Sequence, residues 1–180
     1  MISLVVRGLV IGMAALALAC SAAPPASVVT PLQPTACMTA DAAVRAEFAR
    51  RNLGVTECPG VKPWRVLFVS SDENSWIELR TPGGRWSSED DVVYRGRVGN
   101  FPRVADGTPL EWRVTPGASP TAVIFRVVGQ KPDDPTMPVS VFYVARLEHD
   151  RACVLGRESS VDAARAVADG PRTCASTESR

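Results

Sequence analysis

Short apolar runs, which alternate with polar residues most clearly at 139–148, fill the chain from residue 61 to residue 148 and are typical of β-strands. Turn-forming groups of Gly, Pro, Asp and Asn separate these runs about every ten residues. No helical pattern lies between them, so we expect the strands to pair antiparallel. The predicted strands are residues 64–70, 75–80, 92–98, 109–114, 121–128 and 139–148.

Helical spacing of apolar residues is found on either side of this region, at 39–53 and 159–169. In the first stretch Val44 and Phe48 are four residues apart and share a helix face. The second stretch has a face of small residues that can pack closely on a sheet. The pattern therefore predicts an α+β domain, in which an N-terminal and a C-terminal helix flank one antiparallel sheet of about six strands and cover the same face.

The chain has five cysteines, Cys20, Cys37, Cys58, Cys153 and Cys174, and this odd number leaves four to pair once Cys20 is set apart. Cys37 and Cys58 are 21 positions apart, and so are Cys153 and Cys174. Because each interval contains one predicted helix, the spacing favours Cys37–Cys58 and Cys153–Cys174, each linking a helix to the neighbouring end of the sheet. The alternative pairing, Cys37–Cys174 with Cys58–Cys153, would tie the two ends of the domain together.

The first 19 residues have the pattern of a secretory signal peptide. Arg7 precedes an uncharged apolar run from Gly8 to Ala19. A helix of that length measures about 18 Å, which is too short for a bilayer core of about 30 Å. The sequence therefore predicts export from the cytoplasm, an environment in which the cysteines can oxidise.

The residues from Leu16 to Cys20 resemble the lipobox of bacterial lipoproteins, although the leucine does not stand where the commonest form of that motif has it. The resemblance implies that Cys20 is acylated and becomes the mature N-terminus, so that the protein meets the membrane only through this lipid. Ordinary signal cleavage and a retained membrane anchor are the alternatives. The predicted organisation is a signal peptide at 1–19, a Pro/Ala-rich tether at 20–36, a globular domain at 37–174 and a flexible tail at 175–180.

Composition argues against several classes of function. Lys and Arg number 20 against 19 Asp and Glu, so the chain has no basic surplus for nucleic acid. The one histidine, His149, stands beside Asp150 at a predicted strand end, and no GxSxG, phosphate-binding or zinc-ligand spacing is present. We therefore expect no catalytic, cofactor-binding or metal-binding residues.

Tryptophan and arginine on predicted strands are the strongest candidates for a binding surface. Trp76 shares a strand face with Arg80, and Trp112 is followed by Arg113. Both residue types are enriched at binding hot spots. The alternative interpretation is that the tryptophans pack inside a sheet that is covered on both faces.

These observations predict an exported protein of the bacterial cell envelope. The favoured function is a non-catalytic binding module for another envelope protein or a small ligand, either lipid-anchored at Cys20 or free outside the cytoplasm. A secreted hydrolase and a purely structural envelope component are the alternatives.

Acylation of Cys20 can be tested by intact-mass analysis of the protein made in a bacterial host that processes lipoproteins. We expect the wild type to carry the mass of the acyl chains and the Cys20→Ala variant to lack it. A wild-type mass without acyl chains would contradict the lipobox interpretation.

Overall fold

The computed structural model describes residues 24–96 and 98–175, which form two antiparallel sheets and two α-helices. The predicted signal peptide and Cys20 lie outside the described residues. No helix in the described part is long and apolar enough to cross a membrane. In chain order the elements are β1 (Ala26–Thr30), β2 (Met38–Thr39), α1 (Ala42–Ala49), β3 (Gly54–Cys58), β4 (Arg65–Ser70), β5 (Ser75–Arg80), β6 (Arg85–Ser87), a π-helical turn (Asp90–Tyr94), β7 (Asn100–Val104), β8 (Leu110–Val114), β9 (Pro120–Lys131), β10 (Asp134–Glu148), β11 (Arg151–Glu158) and α2 (Val161–Asp169).

The antiparallel pairing is confirmed, but the strands form two sheets where one was predicted. The large sheet has the order β1-β8-β9-β10-β11, and β7 pairs with the part of β9 that extends beyond β8. The small sheet has the order β2-β3-β4-β5-β6. The single-sheet prediction was wrong because it missed the strands that complete the small sheet, which are short or rich in polar residues.

The core lies between the two sheets. Val66 and Leu79 of the small sheet belong to the same cluster of buried residues as Phe125 and Tyr143 of the large sheet. The rings of Phe125 and Tyr143 are stacked, with their centroids 5.5 Å apart. Burial of this apolar surface is the main force that holds the sheets together.

Helix α1 covers the outer face of the small sheet, where Val44 and Phe48 join the main core. The backbone N–H of Val44 donates to Asp41 Oδ1 at 2.9 Å. Asp41 thus caps the helix, and the helix begins later than the predicted stretch 39–53 because Thr39 belongs to β2.

Helix α2 covers the outer face of the other sheet, so the prediction that both helices share one sheet face was wrong. Its small residues Ala164 and Ala168 are fully buried against Ile124 and Val144 of the large sheet. The Ser160 hydroxyl caps the helix. The result is a four-layer arrangement, with the two sheets inside and one helix on each outer face.

The structure contains the disulfides Cys37–Cys58 and Cys153–Cys174, which is the pairing that the equal spacing favours. Closing loops of this size stabilises a fold by about 3 kcal/mol per bridge in the chain-entropy model. The two bridges indicate an oxidising compartment outside the cytoplasm.

The segment predicted as a tether at 20–36 contributes to the fold. Residues Ala26–Thr30 form the edge strand of the large sheet and pair with β8 from Val114 to Leu110. Thr30 and Leu32 are both buried. The sequence pattern did not predict this strand, because prolines flank its short run of β-branched residues. The domain therefore begins about ten residues earlier than the predicted boundary at 37.

The predicted strand at 92–98 is also absent from the described residues. The chain there makes a π-helical turn, and the hydroxyl of Tyr143 donates to the carbonyl of Asp91 at 2.8 Å. Gly96 packs directly against the Asp91 carbonyl and the Tyr143 hydroxyl that form this hydrogen bond. By contrast, the loop predicted at 129–138 is the tip of a long hairpin, since β9 and β10 continue through most of it.

The close packing at Gly96 predicts a large effect of adding one methyl group. A Cβ at Gly96 would overlap the carbonyl of Asp91 and the hydroxyl of Tyr143. We expect Gly96→Ala to lower the free energy of unfolding by about 1–3 kcal/mol, measured by urea denaturation. Gly107 has no atom within 4 Å of such a Cβ, so Gly107→Ala is the matched control. Equal stability of the two variants would contradict the packing described here.

Candidate functional site

The tryptophan and arginine residues predicted as a binding surface lie inside the protein. Trp76 is 2% exposed and Trp112 is fully buried. They also stand on different sheets, so they share no surface. The prediction was wrong because both faces of each sheet are covered, the inner face by the other sheet and the outer face by a helix.

The Trp112–Arg113 pair joins three elements of the fold. The indole N–H of Trp112 donates to Thr30 Oγ1 at 2.9 Å, which fixes β1 on β8. The guanidinium of Arg113 donates to both carboxylate oxygens of Asp169 at 2.9 and 2.7 Å, and also to the carbonyl of Pro25. Arg113 therefore holds the end of α2 and the start of β1 against the large sheet.

Glu111 completes this buried network. Its carboxylate accepts two hydrogen bonds from Arg165 of α2, at 2.8 and 2.9 Å, and one from the Ser27 hydroxyl at 2.5 Å. Burial alone would raise the pKa of Glu111. The hydrogen bonds from Arg165 and Ser27, together with the charges of Arg165 and Arg113, outweigh burial and hold this pKa below its ordinary value.

Arg80 serves a similar purpose for α1. Its guanidinium pairs with Glu47 of the helix at 3.0 Å and with the buried Glu78 at 2.5 Å. It also lies over the ring of Phe48, 5.6 Å from the centroid. Three of the four predicted surface residues, Trp112, Arg113 and Arg80, thus position helices and strands, and the fourth, Trp76, is buried, so the four form no surface for a ligand.

His149 has none of the partners that a hydrolytic triad needs. It is exposed at the turn between β10 and β11, with a backbone φ of 51°, and within the described residues its side chain makes no hydrogen bond. The neighbouring carboxylate of Asp150 accepts a hydrogen bond from Thr81. The described residues also contain no group of three His, Cys, Asp or Glu side chains that could hold a metal ion.

The structure has an open groove at one end, where the two sheets separate beside the turn between β4 and β5. Its two main cavities have volumes of about 420 and 410 Å³. Phe68, Ser70 and Asp106 line both cavities, so the cavities adjoin. We call this feature the end groove. The remaining walls of the two cavities are formed by Leu32, Pro34, Gly54, Val55, Thr56, Ser71, Asp72, Asn74, Ser75, Arg103, Val104, Ala105 and Val128.

Strand β7 forms the rim of the end groove. A third cavity of about 310 Å³ continues from Arg103 and Val128 to Phe101. Phe101 is 42% exposed and has a backbone φ of 51°, in the left-handed region that large side chains rarely adopt. Such a conformation costs roughly 1–3 kcal/mol, and residues of this kind cluster at active sites, ligand clamps and switch regions.

The end groove is lined by one arginine, Arg103, by the carboxylates of Asp72 and Asp106, and by apolar and hydroxyl groups. Within the described residues Arg103 makes no ion pair or hydrogen bond through its guanidinium, and the carboxylates of Asp72 and Asp106 have no ion-pair partner either. The rings of Phe68 and Phe101 supply apolar surface. This arrangement can hold a small molecule by charge and apolar contact, but it contains no nucleophile paired with a base.

Nothing in the sequence pattern predicted this site. The residues of β7 include Pro102 and lie in a stretch with no clear alternation, so no strand was predicted there. A signal was nevertheless present, since Phe101 and Arg103 flank a proline in an otherwise polar stretch. Comparison with known proteins finds no family model, curated protein or solved structure that matches the chain.

The network around Glu111 predicts how stability depends on pH. Because the pKa of Glu111 is lower in the folded state, its contribution is present above the unfolded value of about 4.3 and is lost as the pH falls through the folded value. We expect the free energy of unfolding to fall below about pH 4.5, and Glu111→Gln to reduce this dependence while lowering stability at pH 7 by up to about 3 kcal/mol.

Asp162 provides the matched control, because its carboxylate pairs with the same Arg165 but is 85% exposed. Asp162→Asn should change stability by less than about 1 kcal/mol. Urea denaturation from pH 3 to pH 7 checks both variants, and an unchanged pH dependence in Glu111→Gln would contradict the network.

Proposed function

We propose that the protein is a non-catalytic binding module of the bacterial cell envelope, anchored by a lipid on Cys20, that holds its ligand in the end groove. The observation that carries this proposal is the presence in one groove of Arg103, whose charge has no partner in the described residues, and of Phe101 in a strained backbone conformation. Backbone strain at Phe101 costs free energy that a bound ligand can offset, and the exposed guanidinium of Arg103 is available to an anionic group.

Arg103 is unusual among the described arginines because its guanidinium has no hydrogen-bond or ion-pair partner. Most arginines of the described residues donate to a carboxylate, hydroxyl or backbone carbonyl, as Arg80 and Arg113 do. The exceptions besides Arg103 are Arg45 and Arg50, on and directly after α1, and these line neither of the two main cavities. An arginine left free in a cavity favours recognition of an anionic group, because guanidinium binds carboxylate and phosphate well.

The chemical class of the ligand follows from the walls of the groove. Arg103 would bind a carboxylate or phosphate group in the third cavity, which has no acidic residue in its lining, because Asp72 and Asp106 line the first cavity and would repel an anion there. An aromatic or aliphatic group beside it would contact Phe101 or Phe68, both of which lie within the adjoining cavities. Cavities of this size accept molecules in the usual range for small ligands.

The location of the protein is supported by two independent features. The two disulfides indicate an oxidising compartment. The N-terminal pattern and the lipobox resemblance add the bacterial envelope and the lipid anchor to the proposal. No arrangement of the described residues favours the secreted hydrolase.

The binding proposal is testable with a simple probe that combines the two groups. We expect phenylacetate, followed by ¹H–¹⁵N NMR, to shift amide signals of β7 and of the turn between β4 and β5 in a saturable way, with an affinity on the order of 1 mM. Phenethylamine, which is cationic, should produce smaller shifts at the same concentrations.

Arg103→Gln removes the positive charge and should abolish most of the phenylacetate shifts while the spectrum otherwise stays that of the wild type. Arg45→Gln removes another exposed charge, outside the groove, and should bind phenylacetate like the wild type. Absence of shifts around the groove, or equal shifts in the Arg103→Gln variant, would refute the assignment of the site.

A further inference from the structure

We infer that the lipid anchor and the end groove lie at opposite ends of the large sheet, so that the groove faces away from the membrane and takes its ligand from the aqueous phase. This inference rests on the proposed acylation of Cys20. It adds an orientation to the proposed function.

The register of the large sheet shows which residues lie at the end near the anchor. Ser27 pairs with Arg113, Arg113 with Ala122, Ala122 with Arg146 and Arg146 with Cys153. These five residues form one row across the sheet. Because β1 begins at Ala26, the first strand after Cys20 enters the fold next to this row.

The covalent length of the chain limits how far this row can stand from the membrane. Ala26 is six positions after Cys20, and a fully extended chain spans about 3.3–3.6 Å per residue. With an acylated Cys20 at the bilayer surface, Ala26 is therefore within about 20 Å of that surface. A tether of 17 residues, as first predicted from the sequence, would have imposed no such limit.

The groove lies further along the same strands. Arg103 pairs with Val128, six residues beyond Ala122 on β9, and Asn100 pairs with Gln130, which is two residues further. At a rise of about 3.3 Å per residue, these two pairs are about 20 and 26 Å from the row that contains Ser27. Strand β1 also runs from the row towards the groove, since Leu32, two residues beyond its end, lines the second cavity.

The end near the anchor is suited to face a lipid surface. The turn between β8 and β9, residues 115–119, contains no charged side chain, and Pro116, Gly117 and Ala118 are exposed there. The two charges nearest to this turn in the row are not free, since Arg113 pairs with Asp169 and Arg146 donates to the carbonyls of Gly170 and Arg172. The turn between β10 and β11 lies at the same end, and its carboxylates also have partners, since Glu148 pairs with Arg151 and Asp150 accepts a hydrogen bond from Thr81.

The orientation can be measured on the full acylated protein. Acylation occupies the thiol of Cys20, and the other four cysteines form the two disulfides, so an introduced cysteine is the single free thiol. Ala118→Cys places this thiol in the turn near the proposed anchor, and Met137→Cys places it near the groove. Both residues are exposed, so each variant should fold and accept a fluorescent donor.

Each labelled variant is reconstituted into phosphatidylcholine vesicles that contain increasing amounts of a headgroup-labelled acceptor lipid. We expect a greater loss of donor fluorescence by energy transfer from position 118 than from position 137 at every acceptor density. The same proteins in detergent micelles, with the acceptor diluted among micelles, supply the reference. Equal transfer from the two positions, or greater transfer from position 137, would overturn the inference.

This measurement contains no ligand, so it is independent of whether the end groove binds phenylacetate. The two failures are distinguishable. A wild-type protein in which Cys20 reacts as a free thiol lacks the anchor and overturns the orientation, while groove binding can still be measured by NMR. Loss of phenylacetate binding with a confirmed orientation instead refutes only the ligand site.

Discussion

Every other feature of the protein depends on the face-to-face burial of two sheets. At one edge the sheets close tightly, since the turn between β10 and β11 rests on the turn between β5 and β6. Thr81 donates to Asp150 there, and a Cβ at Gly84 would overlap the carbonyl of Asp150. Near β7 the sheets are joined by contacts such as the buried hydrogen bond of 3.0 Å from the N–H of Val104 to Ser75 Oγ. The end groove lies beside this contact, and residues of both sheets line it.

Ion pairs between the sheets and the helices add to the stabilisation that this packing provides. Each outer sheet face is covered by a short helix with a limited apolar surface. An arginine of the sheet also forms an ion pair with a carboxylate of that helix. Arg80 pairs with Glu47 of α1, and Arg113 pairs with Asp169 of α2. Because Glu78 and Glu111 are buried beside these arginines, removal of either partner leaves a charge without compensation, which is costly in a dry environment. The networks therefore fix the position of each helix more firmly than apolar contact alone.

Sequence periodicity predicted the parts of this fold that depend on local pattern. The strands β4, β5, β8, β9 and β10, both helices and the disulfide pairing follow from apolar runs, turns and cysteine spacing. What periodicity could not predict was the division into two sheets, because strands such as β3 and β11 alternate weakly and acquire their pairing from the rest of the fold. The same limitation explains the misplaced binding surface. Trp76 and Trp112 looked exposed beside charged neighbours, but those neighbours are paired beneath helices whose positions a strand pattern does not contain.

The candidate site was hidden for a related reason. Arginine is by far the commonest cation of this chain, so no single arginine is distinctive in the sequence. Arg103 stands out only when the partners of the other arginines are known. Most of those arginines donate to carboxylates, hydroxyls or carbonyls, and Arg103 does not. The net charge is near zero because 20 Lys and Arg residues are balanced by 19 Asp and Glu residues, so the molecule has no basic surplus that would attract nucleic acid. Under the proposed function, selectivity for an anion would come from the local position of Arg103 and not from a positive field over the whole protein.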